Sequence, residues 1–227
     1  MQRAINRAKL PAKYSEGFNP HMRLAFGFPL SLGIESIGEY FELELKEKLD
    51  TDYFVNALNA VLPSKIKIIG AKHYEGKESL MSISHYAEYL IDIESKNLDI
   101  EYLNNLLNKM ATEGLIYTKE KMNKSKNKTV KKEVNTKDFI HYASAKIISK
   151  DNKVEFATPL KVDYETPLKV EAEAPIKVKL EIVFRTSGEG SMKVSDFVKL
   201  LEENAVVIDY YTVMKVEALD ANLKPIL

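Results

Sequence analysis

Hydrophobic positions along the chain switch between a spacing of two and a spacing of three to four, which predicts short strands alternating with short helices. Residues 2–9 read as the end of an amphipathic helix stopped by Pro11, which cannot continue the hydrogen-bond ladder. Met22, Leu24, Phe26 and Phe28 alternate as one half-buried strand, and Phe41, Leu43 and Leu45 as a second, antiparallel to it. Thr51 is the expected N-cap of a helix over 52–62, with Phe54, Val55, Leu58 and Val61 on one stripe. After Pro63, Ile66 and Ile68 begin a third strand.

The second half repeats the theme. Tyr89, Ile91 and Ile93 predict a strand, 98–111 a helix and Leu115–Lys119 a strand. Further on, Val178–Phe184 predicts a strand, 195–203 a helix capped by Ser195, and 206–216 a strand with Val206, Ile208, Tyr210, Met214 and Val216 on one face. The expected class is α+β, with two ferredoxin-like (βαββαβ-type) sheet-and-helix units. The first lacks its first strand and the second carries a β-rich insertion. The expected boundaries are 1–78 for the first unit, 79–86 for a linker, 87–220 for the second unit and 221–227 for a tail. The insertion is a period-eight repeat over 158–181, whose prolines at 159, 167 and 175 argue for an extended or edge segment.

Composition then narrows the chemistry. The 227 residues contain no cysteine, which excludes a disulfide, a thiol nucleophile and a thiolate-held zinc or iron–sulfur site on this chain. Four histidines, His21, His73, His85 and His141, include no i, i+4 pair for a helical zinc hydrolase. No apolar run reaches the length of a membrane span and the start lacks a secretory pattern, so a cytoplasmic location without membrane association is expected. Net charge is zero but segregated. Residues 1–24 carry +4, residues 35–52 carry −5, and residues 115–137, which include the Lys-rich segment 119–137, carry +6. Such blocks steer charged partners, although lysine runs are commonly solvated loops.

The densest motif is Tyr14-Ser15-Glu16-Gly17-Phe18-Asn19-Pro20-His21. Gly17 permits positive φ, Asn19 can close an Asx turn and Pro20 fixes φ at the strand entrance, so the residues are first of all turn formers. They also gather Tyr14, Ser15, Asn19 and His21 beside Arg23, donors suited to a phosphate, a base edge or a carboxylate. Glu35, Glu39 and Glu42 lie close in sequence to Ser36. Glu42 and Glu44 share a strand face with Tyr40 and present an acidic surface or, with His21, suit a hard metal ion; otherwise these carboxylates are a solvated face or loop. Gly188-Glu189-Gly190, between strand and helix, lacks the lysine and Ser/Thr of nucleotide-binding loops.

The stretch Leu10–His21, continued by Phe28-Pro29-Leu30-Ser31-Leu32-Gly33-Ile34-Glu35-Ser36 and Gly38-Glu39-Tyr40-Phe41-Glu42, resembles the radical-SAM-linked protein family, a bacterial family encoded beside or fused to a radical SAM protein. The resemblance is clear over residues 1–75 and weaker beyond, through the basic segment and Arg185–Ser191. It implies a radical SAM partner that holds the iron–sulfur cluster and S-adenosylmethionine, with no cofactor on this chain. Relatives begin with a strand and a Ser-His-Leu-Asp segment ahead of Met1, so an amino-terminally truncated member is expected.

The expected function is therefore an accessory or substrate-recognition protein for that enzyme, not catalytic alone. The alternatives are an RNA-binding module acting on RNA or a ribosomal component, and an independent metal-assisted enzyme using His21 with Glu35 or Glu39. Candidate substrate- or partner-binding residues are Tyr14, Ser15, Gly17, Phe18, Asn19, Pro20, His21, Arg23, Glu35, Ser36 and Glu39. Candidate phosphate contacts are Arg3, Arg7, Lys131 and Lys132.

Overall fold

The computed structural model describes residues 1–123, 128–149, 175–186 and 191–227. In chain order the elements are α1 (Gln2–Arg7), β1 (Leu24–Phe26), β2 (Glu35–Ser36), β3 (Phe41–Leu43), α2 (Thr51–Asn59), α3 (Leu80–Ile83), β4 (Tyr86–Ser95), α4 (Ile100–Thr112), β5 (Ile116–Asn123), β6 (Lys128–Asn135), β7 (Ile140–Ser149), β8 (Ile176–Arg185), α5 (Val194–Glu203) and β9 (Tyr210–Leu219). A single 3-10 turn, Thr136–Asp138, separates β6 from β7. The result is a mixed α+β protein of two compact units. Residues 1–30, 38–85 and 218–227 form the first, and 31–37 with 86–217 the second.

The second unit is built on a five-stranded mixed sheet of order β2-β9-β4-β8-β7. Strand β8 pairs antiparallel with both β4 and β7, while β2 runs parallel to β9. Alternation along β4 and β8 puts Ile91, Ile93, Val178, Leu180, Ile182 and Phe184 on one face, all buried. Helix α4 meets that face with Leu103, Leu106, Leu107 and Met110, and α5 with Val194, Phe197, Val198 and Leu201, each set at helical spacing. Phe184 joins the two layers through edge-on contacts with Tyr89 and Phe197 at 5.7 and 5.8 Å. The opposite sheet face carries cross-strand ion pairs, Lys177–Glu94 at 3.4 Å and Lys179–Asp92 at 3.8 Å. Exposed pairs of this kind are worth about 0.2–1 kcal/mol each and chiefly favour one register.

Several expectations are corrected here. Strand β7 is hidden from a period-two reading because bulges between Ile140 and Tyr142 and between Ile147 and Ser149 shift its alternation. The lysine run, expected as a solvated loop, pairs as strand β6 with β5. Helix α4 is capped by Asp99, which accepts from Glu101 N and Tyr102 N, and α5 starts at Val194 without a side-chain cap rather than at a Ser195 cap. In β9 Val213 joins the core of the second unit, whereas Tyr210 is exposed. The first two copies of the period-eight repeat lie outside the described residues, and the tail of the third is β8 itself.

The first unit is smaller. Among the described residues, seven buried ones form its core, Ile5 and Leu58 most completely, against twenty-two in the second unit. At about 1.5–3 kcal/mol per fully buried large side chain, the second unit holds most of the hydrophobic stabilisation. β1 and β3 pair antiparallel as expected, with Leu24 opposite Leu43 and Phe26 opposite Phe41. Helix α2 is capped by Asp50, which accepts from Tyr53 N at 2.9 Å, rather than by Thr51.

The strand expected at Ile66–Ile68 does not form. Instead the Asn59 side chain takes both backbone groups of Ile68, donating to its carbonyl at 2.9 Å and accepting from its N–H at 2.8 Å. That clamp satisfies the polar groups that a ladder would otherwise satisfy and lets Ile68 enter the core. The two-stranded β1–β3 sheet is accordingly not the expected ferredoxin-like half.

Candidate recognition loop

The Tyr14–His21 motif is the closed end of a hairpin in the first unit. Bridges Ala12–Leu45 and Tyr14–Met22 bring residues 12–14 alongside two flanking segments. Three backbone bonds close a cycle at its base: Lys13 N donates to Glu44 O at 2.8 Å, Glu44 N to Arg23 O at 3.0 Å, and Arg23 N to Lys13 O at 2.9 Å. Above it, Ser15 N donates to His21 O at 2.8 Å and His21 N to Ser15 Oγ at 2.9 Å. Ser15 is thus a turn-closing residue on both its backbone and its hydroxyl. Gly17 takes φ +116°, a conformation that side chains rarely adopt, and supplies the reversal.

Side chains fasten the base as well. The Tyr14 hydroxyl donates to Asn6 Oδ1 at 3.1 Å, tying the loop to α1. The Arg23 guanidinium meets Glu44 at 3.1 Å in an exposed pair, worth little by itself but fixing Arg23 in place. The tip is open: Gly17, Phe18, Asn19, Pro20 and His21 are all exposed, and Phe18 is fully so. A braced base under an open aromatic tip suits contact with another molecule.

The remaining candidates are dispersed. Glu35 and Ser36 form β2 in the second unit, opposite Met214 and Lys215 of β9, whereas Glu39 belongs to the first unit. Glu42 accepts from Leu80 N at 2.9 Å and so holds the start of α3. Arg7 donates to Val61 O at 2.9 Å, just beyond α2, and Arg3 is exposed on α1. Lys131 and Lys132 are successive residues of β6 and alternate between its two faces. Gly188–Gly190 lies outside the described residues. Among the described residues no group of three or more His, Asp or Glu is placed to hold a metal ion. No helix among them is long and apolar enough to cross a membrane.

The family described as an uncharacterized protein conserved in bacteria, DUF2344, matches residues 1–170, three quarters of the chain. The chain belongs to the DUF2344 family. The match takes in the recognition loop, residues 1–30 and 38–85 of the first unit, and the β5–β6 ribbon. No curated protein matches the chain.

Sequence reasoning passed over two polar clusters in the second unit. His141, at the start of β7, meets Tyr86 in a tilted ring contact with centres 4.9 Å apart, and its Nδ1 lies 3.4 Å from Arg185 Nη1. Burial and then the Arg185 charge hold its pKa below the usual histidine value, so the ring is the neutral acceptor for the guanidinium. On the sheet, burial and then the charges of Glu181 and Glu217 push the Glu88 carboxyl up. Neither cluster carries a sequence signal, because each gathers residues from separate strands.

Proposed function

We propose that this chain is a recognition protein, an accessory to a radical SAM enzyme that presents the Tyr14–His21 loop to its partner or to their shared substrate. The observation carrying this reading is the contrast within the loop: a base closed by backbone bonds, Ser15 and Tyr14, and a tip with Phe18 fully in solvent. The cysteine-free sequence supports a division of labour in which the partner holds the cluster and S-adenosylmethionine. Tyr14, Asn19, His21 and Arg23 would supply polar contacts around the Phe18 anchor.

For the second unit we propose a ferredoxin-like identity. Its support is the order β4-α4-β7-β8-α5-β9 with β9-β4-β8-β7 as the spatial sequence, both helices contacting one sheet face. On this reading the β5–β6 ribbon is an insertion and β2 an added edge strand.

The test is co-purification of this chain with the neighbouring radical SAM protein that the resemblance implies. A complex at micromolar concentrations is expected, weakened at least tenfold by Phe18→Ala with the fold intact. No complex between the two folded proteins would overturn the proposal.

A further inference from the structure

We infer that residues 65–69 of the first unit are an open strand edge that takes an extended acidic peptide by main-chain pairing. The Asn59 clamp carries the inference. Its one amide bonds both the N–H and the C=O of Ile68, at 2.8 and 2.9 Å. Both groups must then point the same way, as they do in an extended residue. In a planar trans peptide the N–H and C=O are opposed, and neither peptide bond of Ile68 is cis. The Lys67 carbonyl and the Ile69 N–H therefore point away from Asn59. Neither has a hydrogen-bond partner among the described residues, and both residues are exposed, Ile69 at 77%. The same device recurs on β7, where its far side is filled. Asn104 donates to Ala145 O at 3.0 Å and accepts from Ala145 N at 2.9 Å, while the other edge of β7 pairs with β8. Ile68 has the clamp without the second strand.

Charge selects the occupant. From Val61 to Tyr74 the chain carries Lys65, Lys67 and Lys72 and no acidic residue. All three lysines are exposed and have no ion-pair partner among the described residues. A second copy would set like charge against like, which disfavours self-pairing along this edge. An acidic strand gains from the same lysines. With Ile68 in the core, alternation puts Lys67 and Ile69 on the opposite face. The strand that fits therefore alternates, with acidic residues on the Lys67 side and apolar ones on the side of Ile68 and of Ile66, itself half exposed. Pro63 and Gly70 bound the segment, so the paired length is about six residues, or roughly 20 Å.

The experiment uses the whole chain alone, so it is independent of any radical SAM partner. A blocked peptide of alternating valine and glutamate is titrated against the protein, with a valine–lysine peptide of equal length beside it. The glutamate peptide should bind about tenfold more tightly and slow amide exchange at Ile69 by about tenfold. Ile69→Pro removes the outward N–H and suits an extended residue before it, so the folded variant should lose the binding. Methylating the peptide's own backbone N–H groups should abolish binding to the unaltered protein. Lys65→Gln, Lys67→Gln should weaken the glutamate peptide and leave a valine–threonine peptide unchanged. The inference is overturned by no binding at millimolar peptide, by equal binding of the two charged peptides, or by full binding of the methylated peptide. Self-association that Ile69→Pro abolishes would assign the edge to a second copy and overturn it. So would an oligouridylate that displaces the glutamate peptide at a lower concentration than unlabelled peptide does.

Discussion

Tyr117 offers a direct measurement of what an unpaired polar atom costs this fold. Its ring sits in the main core with 9% of its surface exposed, and its hydroxyl is buried with no hydrogen-bond partner. Burial, and then the charge of Asp196 in the first turn of α5, push its pKa up to about 12. Tyr117→Phe keeps the ring and removes the stranded hydroxyl. An unsatisfied buried hydroxyl costs about 1–3 kcal/mol, so the substitution should stabilise the protein by about 1–2 kcal/mol. With m about 2 kcal/mol/M, the urea midpoint should rise by roughly 0.5–1 M. Tyr117→Ala gives the opposite sign, a loss of about 3–5 kcal/mol, because it also empties the space the ring fills. Equilibrium urea unfolding followed by circular dichroism reads both. If Tyr117→Phe loses 1 kcal/mol or more, the hydroxyl is making a bond and the reasoning fails.

Asn59→Ala should cost about 1–3 kcal/mol by stranding both backbone groups of Ile68, with faster amide exchange at Ile68 as the local readout. Lowering the pH from 7.5 to 5.5 should reduce stability through His141, since a depressed pKa leaves the native ring neutral while the unfolded ring protonates below about 6.5. His141→Gln should flatten that loss in urea midpoints measured at the two pH values. Glu88, whose pKa is raised, acts with the opposite sign and adds stability as the pH falls towards 4.5, so Glu88→Gln should steepen the acid loss. Gly114→Ala should destabilise by 1 kcal/mol or more in thermal unfolding. Gly114 closes α4 at φ +88°, donating to Lys109 O at 2.8 Å, and a Cβ there would meet the Asn135 side chain.

Local chemistry wrote much of this protein legibly. The α4 stripe at 103, 106, 107 and 110, the alternation of Ile91 and Ile93, and the β1–β3 pairing all follow from spacing, because a side chain's face is set by the period of its own backbone. The Tyr14–His21 turn was equally readable, since Gly17, Asn19 and Pro20 impose local backbone geometry. Tertiary structure decided what depends on partners remote in sequence. Ile66–Ile68 has the composition of a strand, yet Asn59 claims its backbone groups. Residues 31–37 read as a connection within the first half but leave that unit to add Glu35 and Ser36 beside β9, nearly 180 positions away. Tyr117 and Val134 share a face only once β5 and β6 settle in register. Spacing encodes which way a side chain faces, whereas which neighbour meets it is settled by the competition for buried area and hydrogen-bond partners across the whole chain.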